Sequence, residues 1–339
     1  MATTFKTLST SDVTSTKTLL HEVIPLTGTI VSGTYSDNNI KNYSHGLFQS
    51  VYDYPYLSSS ANHIFDITVG YSSANSLSSS TNTQNSKKIN IYNQMAQVLV
   101  GHDVTGTIMA FDQDGDITSD GTKFRECYFM SFARLLAKDE IKKGSFTLTL
   151  GTGSSTAPFA GTKTLSDYNA ANAFKVNSPA GEYGLLYTSS ADAGTTSLAV
   201  GHVYYQAGIA VLTASVFESA NFSGSFSRTD SLTGSTIQQL SDTLRKRIQN
   251  VQFNNTTELN STIYFCRASH NEFNYSSNPT YLSSSKIVVK NTSTDSPVSY
   301  ITTVGLYSAD NELLAVAKLS EPLRKDPTNE LTVRVRLDY

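Results

Sequence analysis

Apolar and polar positions alternate with period two along much of the chain. The pattern is cleanest near the C-terminus, where Leu331, Val333, Val335 and Leu337 interleave with Thr332, Arg334, Arg336 and Asp338. That spacing turns one apolar row inward and one charged row outward, as a half-buried strand requires. Just before it, 300–307 and 313–319 read as a hairpin around the polar turn 308–312, with a break at Glu321-Pro322. A chain ending in a strand of this kind is expected to have its last residues held in a sheet. Further strands are predicted over 26–35, 64–69, 145–150, 183–187, 198–205, 209–214 and 261–267.

Helical spacing appears three times. Ile91, Met95, Val98 and Leu99 predict a short helix stopping at Gly101, and Phe129, Phe132, Leu135 and Leu136 predict a second that closes near Gly144. Ile237, Leu240, Leu244, Ile248 and Val251 form one apolar stripe and predict a helix over 236–250. Its Arg245, Lys246 and Arg247 are expected to cover the opposite, solvated face near the C-terminal end, where cations are favoured. The expected fold class is therefore mainly β with a few short α-helices, an α+β arrangement of antiparallel sheets or a sandwich.

One segment breaks the pattern. Residues 72–88 are almost all Ser, Thr, Asn and Gln, with too little apolar surface to order themselves. They are expected to be a flexible excursion or a piece ordered by a neighbour. The expected organisation is thus an N-terminal strand and loop segment (1–71), the polar loop (72–88), a central β-rich domain with short helices (89–220), and a helix plus C-terminal hairpin region (221–339).

Composition supports the β reading. Only 39% of the 339 residues are hydrophobic and 16% charged, and the balance is taken by Ser, Thr and Asn, with 19 Tyr and no Trp. Hydroxyl and amide side chains compete for backbone hydrogen bonds, so they suit strands and turns better than helix interiors. A net charge of −3 gives no overall field toward nucleic acid or an anionic membrane, so no direct nucleic-acid contact is expected. No apolar run approaches the roughly 20 residues of a membrane span. The opening residues lack the apolar segment of a secretion signal, and Cys127 and Cys266 read as two buried thiols. Assembly in a reducing cytoplasm is the expectation.

The sharpest candidate for chemistry is Asp112-Gln113-Asp114-Gly115-Asp116. Alternate carboxylates are how calcium loops present oxygen to a hard cation, which makes Asp112, Asp114 and Asp116 a metal candidate. Two positions depart from that pattern: Ile117 stands where the turn glycine belongs, and Lys123 where a bidentate glutamate belongs. The loop is therefore read as an acidic, solvated turn. None of the six histidines has a partner at metal-site spacing, and no phosphate loop or nucleophile elbow is present. No cofactor, small-molecule substrate or enzymatic activity is expected. The tyrosine clusters Tyr52, Tyr54 and Tyr56, then Tyr204 and Tyr205, then Tyr275 and Tyr281, are candidates for subunit contact or for stacking on sugars. The strand row Leu331, Val333, Val335 and Leu337 is a candidate for accepting another chain's strand.

Four stretches carry a family resemblance: the one opening Leu20-His21-Glu22-Val23-Ile24-Pro25 and running to Ile30; Val51-Tyr52-Asp53-Tyr54-Pro55-Tyr56-Leu57 with the two residues before it; Phe132-Ala133-Arg134-Leu135-Leu136-Ala137-Lys138-Asp139-Glu140 continuing to Gly144; and Asn271-Glu272-Phe273-Asn274-Tyr275 continuing to Thr280, with the terminal hairpin after it. They resemble virion structural proteins of contractile-tailed bacteriophages, of the T4-like and cyanophage kind. The resemblance implies a virion part of the tail or baseplate, assembled in the host cytoplasm from copies of itself and other virion proteins, with no catalytic residues to transfer. A neck or capsid position, and a virion protein that grips host glycan through its tyrosines, are the alternative expectations; a cell-wall hydrolase is a third.

Overall fold

The computed structural model describes residues 5–24, 39–54, 56–118, 120–154, 156–218, 228–275, 282–283, 286–287 and 297–339, with backbone alone at 19–24, 282–283 and 286–287. The strand expected over 26–35, Pro55 of the tyrosine loop and Tyr281 lie outside them. The chain divides into two units, one of Leu20–Thr257 and one of Met1–Leu19 with Glu258–Tyr339. The division falls at 257/258 and not at 220/221, and the first nineteen residues belong with the C-terminal unit. Among the described residues the fold is mainly β with a few helices, and its paired strands run antiparallel, as expected.

After a 3₁₀ turn at Thr10–Asp12 come β1 (Val13–Ile24), β2 (Ile40–Asn42), β3 (Gln49–Tyr52) and β4 (His63–Tyr71), then α1 (Asn85–Leu99). The short pair β5 (Phe111–Asp112) and β6 (Lys123–Phe124) precedes β7 (Glu126–Phe132), one turn of helix α2 (Arg134–Ala137), β8 (Glu140–Ile141), β9 (Thr147–Gly151) and β10 (Thr162–Ser166). There follow α3 (Ala170–Ala173), β11 (Lys175–Ser178), β12 (Gly181–Leu186), β13 (Gly201–Tyr204), β14 (Ile209–Thr213), α4 (Arg228–Gly234), α5 (Ile237–Arg247) and β15 (Ile248–Ala268).

In the unit Leu20–Thr257 an eight-stranded sheet runs β11-β12-β13-β14-β7-β4-β3-β2. Its middle strand corrects the sequence reading. Residues 126–132 form a strand, with Val211 opposite Phe129 on one side and Ile67 opposite Met130 on the other. Cys127-Tyr128-Phe129-Met130 is buried on both faces, and such a continuous apolar run in a central strand can match helical spacing by accident. Only the single turn α2 remains of the expected helix.

Helices α1 and α5 pack on β4. Gly70 allows the approach of α1: a Cβ there would stand 2.6 Å from the Lys88 carbonyl and 2.8 Å from the Tyr92 nitrogen. The α1 helix is longer than expected because it starts inside the polar segment. The preceding turns, 72–84, are ordered by their own polar groups. The Ser72 N–H donates to the Arg125 carbonyl at 2.8 Å, Asn75 Nδ2 to the Glu126 carboxylate at 2.9 Å, and Ser78 Oγ to the Asn75 carbonyl at 2.8 Å. Side-chain hydrogen bonds replace the apolar burial that the composition denies.

The α5 helix is capped as its sequence suggests, with Thr236 and Gln239 bonding each other's backbone. Arg245 is a second correction, because it is fully buried and lies 3.5 Å from Asp242. It follows Ile237 and Ser241 at steps of four, so it sits on the inward stripe and not on the solvated face. Strands β9 and β10 form a hairpin extended by residues 248–252 of β15. Phe132, Phe146 and Phe253, with ring centroids 5.1–6.3 Å apart, join that sheet to the larger one.

In the other unit, residues 261–268 of β15 lie between β1 and the last strand. Beyond β16 (Leu282–Ser283) and β17 (Lys286–Ile287) come β18 (Ser299–Tyr307), β19 (Leu313–Lys325) and β20 (Leu331–Asp338). β20 pairs with β15, with Val335 opposite Tyr264 and Val333 opposite Cys266. The expected break at Pro322 is a bulge instead, because β19 continues to Lys325 while four residues are looped out between Lys318 and Leu323. Both cysteines are free, Cys127 buried and Cys266 half-buried.

Candidate functional site

The tyrosine candidates separate into two kinds. Tyr204 and Tyr205, at 1% and 0% exposure, belong to the core and offer no surface, which corrects that expectation. The Tyr204 ring stacks on Tyr183 at 4.9 Å. The Tyr205 hydroxyl donates to Asp167 at 2.8 Å, and the same carboxylate accepts the N–H groups of Gly144 and Phe146. Burial pushes Asp167 up to about 6 in spite of those donors. The clustering that singled out Tyr204 and Tyr205 does not distinguish a surface pair from one on a strand enclosed on both faces.

Tyr52, Tyr54 and Tyr56 do reach the surface. Asp53 shapes their loop by accepting the N–H groups of Tyr54 and Asn62. Tyr52 is half-buried, its ring 5.6 Å from His63, and Tyr54 and Tyr56 are exposed together with Leu57. His63 donates toward Asp66 at 2.8 Å, and that bond raises its pKa. Ser50 Oγ donates to the same Asp66 oxygen at 2.5 Å. The carboxylate therefore stands between serine and imidazole, so the histidine is not placed to take the serine proton, as nucleophilic catalysis requires.

The acidic loop joins β5 to β6. Asp112, Asp114 and Asp116 bring carboxylate oxygens within 4.8 Å of one another. Asp112 is buried, and burial pushes its carboxyl up to about 6 against the pull of Lys123, with which it forms an ion pair across the hairpin. The Lys123 ammonium also donates to the Thr118 carbonyl at 2.6 Å. Ile117 takes the left-handed backbone (φ +59°) at the position where a calcium loop keeps its glycine. A carboxylate and a backbone carbonyl thus meet a positive charge supplied by the chain itself. The lysine that departs from the calcium pattern holds the loop's charge balance.

Beside this loop a polar cleft of about 380 Å³ is lined by Asn75, Gln113, Lys123, Arg125 and Arg228 among others. Its basic groups already have partners: Lys123 on Asp112, Arg125 on the Ala74 carbonyl, and Arg228 on Glu126 and Glu218. His202 lies buried among Tyr183, Phe111 and Phe124, and burial pushes it down to about 4, so it is neutral. Among the described residues no helix is long and apolar enough to cross a membrane.

The unit of Met1–Leu19 and Glu258–Tyr339 has a different surface. Leu331, Val333 and Leu337 are half-buried and Val335 is buried, while Arg334 and Arg336 point outward, so the predicted row does face inward. Among the described residues the unit buries only three apolar side chains, Ala268, Val298 and Val335. Its most buried long side chain is polar: the Lys325 ammonium bonds the carbonyls of His270 and Asp326 and the Asn274 amide oxygen. Meanwhile Tyr300, Tyr307, Leu313, Leu314, Val316 and Leu323 of the β18–β19 hairpin are exposed. Sequence reading missed them as surface residues, although 313–317 is an unbroken apolar run that a two-stranded sheet cannot bury.

Compared with known protein families, with curated proteins and with solved structures, the chain matches none.

Proposed function

We propose that this chain is a non-enzymatic structural subunit of a tailed-phage virion, placed in the tail baseplate, that works by fitting against copies of itself and other virion proteins. One observation carries the assembly part of this reading: among its described residues the C-terminal unit exposes far more large apolar side chains than it buries. The core those residues form is slight for a unit of that size and calls for further burial, and exposed apolar surface marks interaction sites. The virion part rests on the resemblance of the stretches named above. The test is to locate the chain in an imaged virion. Density for it at a defined symmetry position in the tail supports the reading; its absence from mature particles, with measurable turnover by the isolated protein, sinks it.

The exposed Tyr54, Tyr56 and Leu57 favour a second role on the same particle, contact with host-surface glycan through stacked aromatic faces. Binding of purified protein to host polysaccharide, lost in Tyr54→Ala, would bring that role forward.

A further inference from the structure

The two strands of the exposed hairpin have unlike outer edges. β19 carries Lys318, Glu321 and Pro322, and its register against β18 slips twice, at 319–322 and at Leu313–Leu314. Charge, proline and bulges are the devices by which edge strands refuse a further partner. β18 has none of them. Ser299–Tyr307 contains no acidic or basic residue and no proline, and among the described residues it pairs with β19 alone. Its free backbone donors and acceptors are a template for another strand.

We propose that β18 is the seam at which two copies of this chain join, antiparallel and edge to edge, to make a four-stranded sheet. The inference rests on the assembly reading above and names the surface it uses. A two-fold axis at Thr303 gives a closed, isologous contact. It sets Tyr300 of one copy against Leu306 of the other, Thr302 against Val304, and Ile301 against Gly305. These are the aromatic–aliphatic and β-branched pairs that stabilise neighbouring strands. Gly305 leaves its place to a neighbouring ring: a Cβ there would stand 2.9 Å from Tyr307 Cε2 and 3.3 Å from Leu313 Cδ1. Ile301 of the second copy packs on that Tyr307 ring, which the Phe5 ring also meets at 4.7 Å.

The choice of a second copy over a foreign strand follows from charge. A strand that selects a different chain uses charge to exclude wrong partners. A strand that pairs with itself brings its centre against its own centre, where any charge would meet its like. β18 is uncharged throughout, and the adjacent β19 edge is not.

Sedimentation equilibrium on the full chain tests the seam. The wild type is expected to dimerise reversibly, and Thr303→Glu and Thr303→Lys are each expected to weaken dimerisation about tenfold, with an equimolar mixture of the two restoring it. Thr303 is exposed and lies opposite Lys318 within the hairpin, so Thr303→Glu meets a favourable neighbour and carries the test if Thr303→Lys folds poorly. Val316→Ser, on the guarded strand, is expected to leave the dimer unchanged. A wild type that stays monomeric at high micromolar concentration, or Thr303 variants that dimerise like the wild type, would overturn the proposal. A monomer that is nevertheless found in particles would sink the seam and spare the virion reading. A Thr303-dependent dimer missing from particles would do the reverse.

Discussion

Lys123 holds the buried Asp112 carboxylate across the β5–β6 hairpin, and the two residues are register partners in that short ladder. Removing the lysine leaves an uncompensated buried charge, which costs far more than the pair contributes. Lys123→Met is expected to destabilise the fold by about 3 kcal/mol at neutral pH. Adding Asp112→Asn to it is expected to recover much of the loss, measured by urea denaturation. A pH series extends the test. Asp112 titrates near 6 when folded against 3.8 as its ordinary value. The folded state therefore holds the proton more tightly, and the Asp112 contribution to stability falls as pH rises through that window. Lys123→Met should push the window higher.

The same pair decides the loop's behaviour toward metal. With Lys123 bonded to Asp112 and to the Thr118 carbonyl, a divalent cation has to displace an ammonium held covalently in place. Titration calorimetry is expected to show no calcium binding at micromolar concentration. Heat that Asp114→Ala abolishes would reverse this reading of the loop.

Lys88 gives a prediction at the other end of the pH scale. Its ammonium is fully buried, donates to the Leu232 and Ser235 carbonyls at 2.6 and 2.7 Å, and is pushed down to about 8 by burial. Between that value and its ordinary 10.5 the unfolded chain binds the proton more tightly, so stability from this group rises with pH across the window. Denaturation from pH 8 to 10 is expected to show that rise in the wild type and not in Lys88→Met. Equal slopes in both proteins would mean that the lysine is not buried as described.

Alternation and composition made the fold class legible, one period marked the α5 helix and the strands at 145–150 and 331–338, and 183–187 and 209–214 showed as short apolar runs next to turn residues, which the structure buries almost throughout. What failed to show had physical causes of its own. Cys127 to Phe132 is apolar on both faces of a strand, so no period marked it as one. The order of residues 72–84 comes from single hydrogen bonds such as Asn75 to Glu126, which leave no hydrophobic signature. Tyr204 and Tyr54 look alike in sequence, but one lies on a central strand and the other on a loop. The two-unit division was hidden because β15 runs without a break through the boundary.

Gly70 makes the packing of α1 on β4 testable. A methyl at that position meets backbone atoms of Lys88 and Tyr92, which cannot swing aside as a flexible side chain can. Gly70→Ala is expected to cost about 2–3 kcal/mol, the upper part of the range for overpacking. A loss below about 0.5 kcal/mol in thermal or urea unfolding, the range of an ordinary surface change, would show that the helix shifts freely.

The last strand carries weight out of proportion to its length, because the described residues of its unit bury so little else. β20 pairs with β15 over residues 261–268, supplies Val335 as one of the three buried apolar side chains described there, and is closed by Asn260 and Tyr339 exchanging backbone hydrogen bonds at 2.9 and 3.1 Å. Deleting residues 328–339 uncovers the edge of β15 at Thr262, Tyr264 and Cys266 and removes the partners of Ser261, whose hydroxyl bonds Asp338. An uncovered strand edge recruits other chains without specificity. The truncated protein is therefore expected to be insoluble, or soluble only as large aggregates by light scattering, while the unit Leu20–Thr257 keeps its own core. Truncated protein that is soluble and enters normal particles would show that this unit takes its stability from elsewhere.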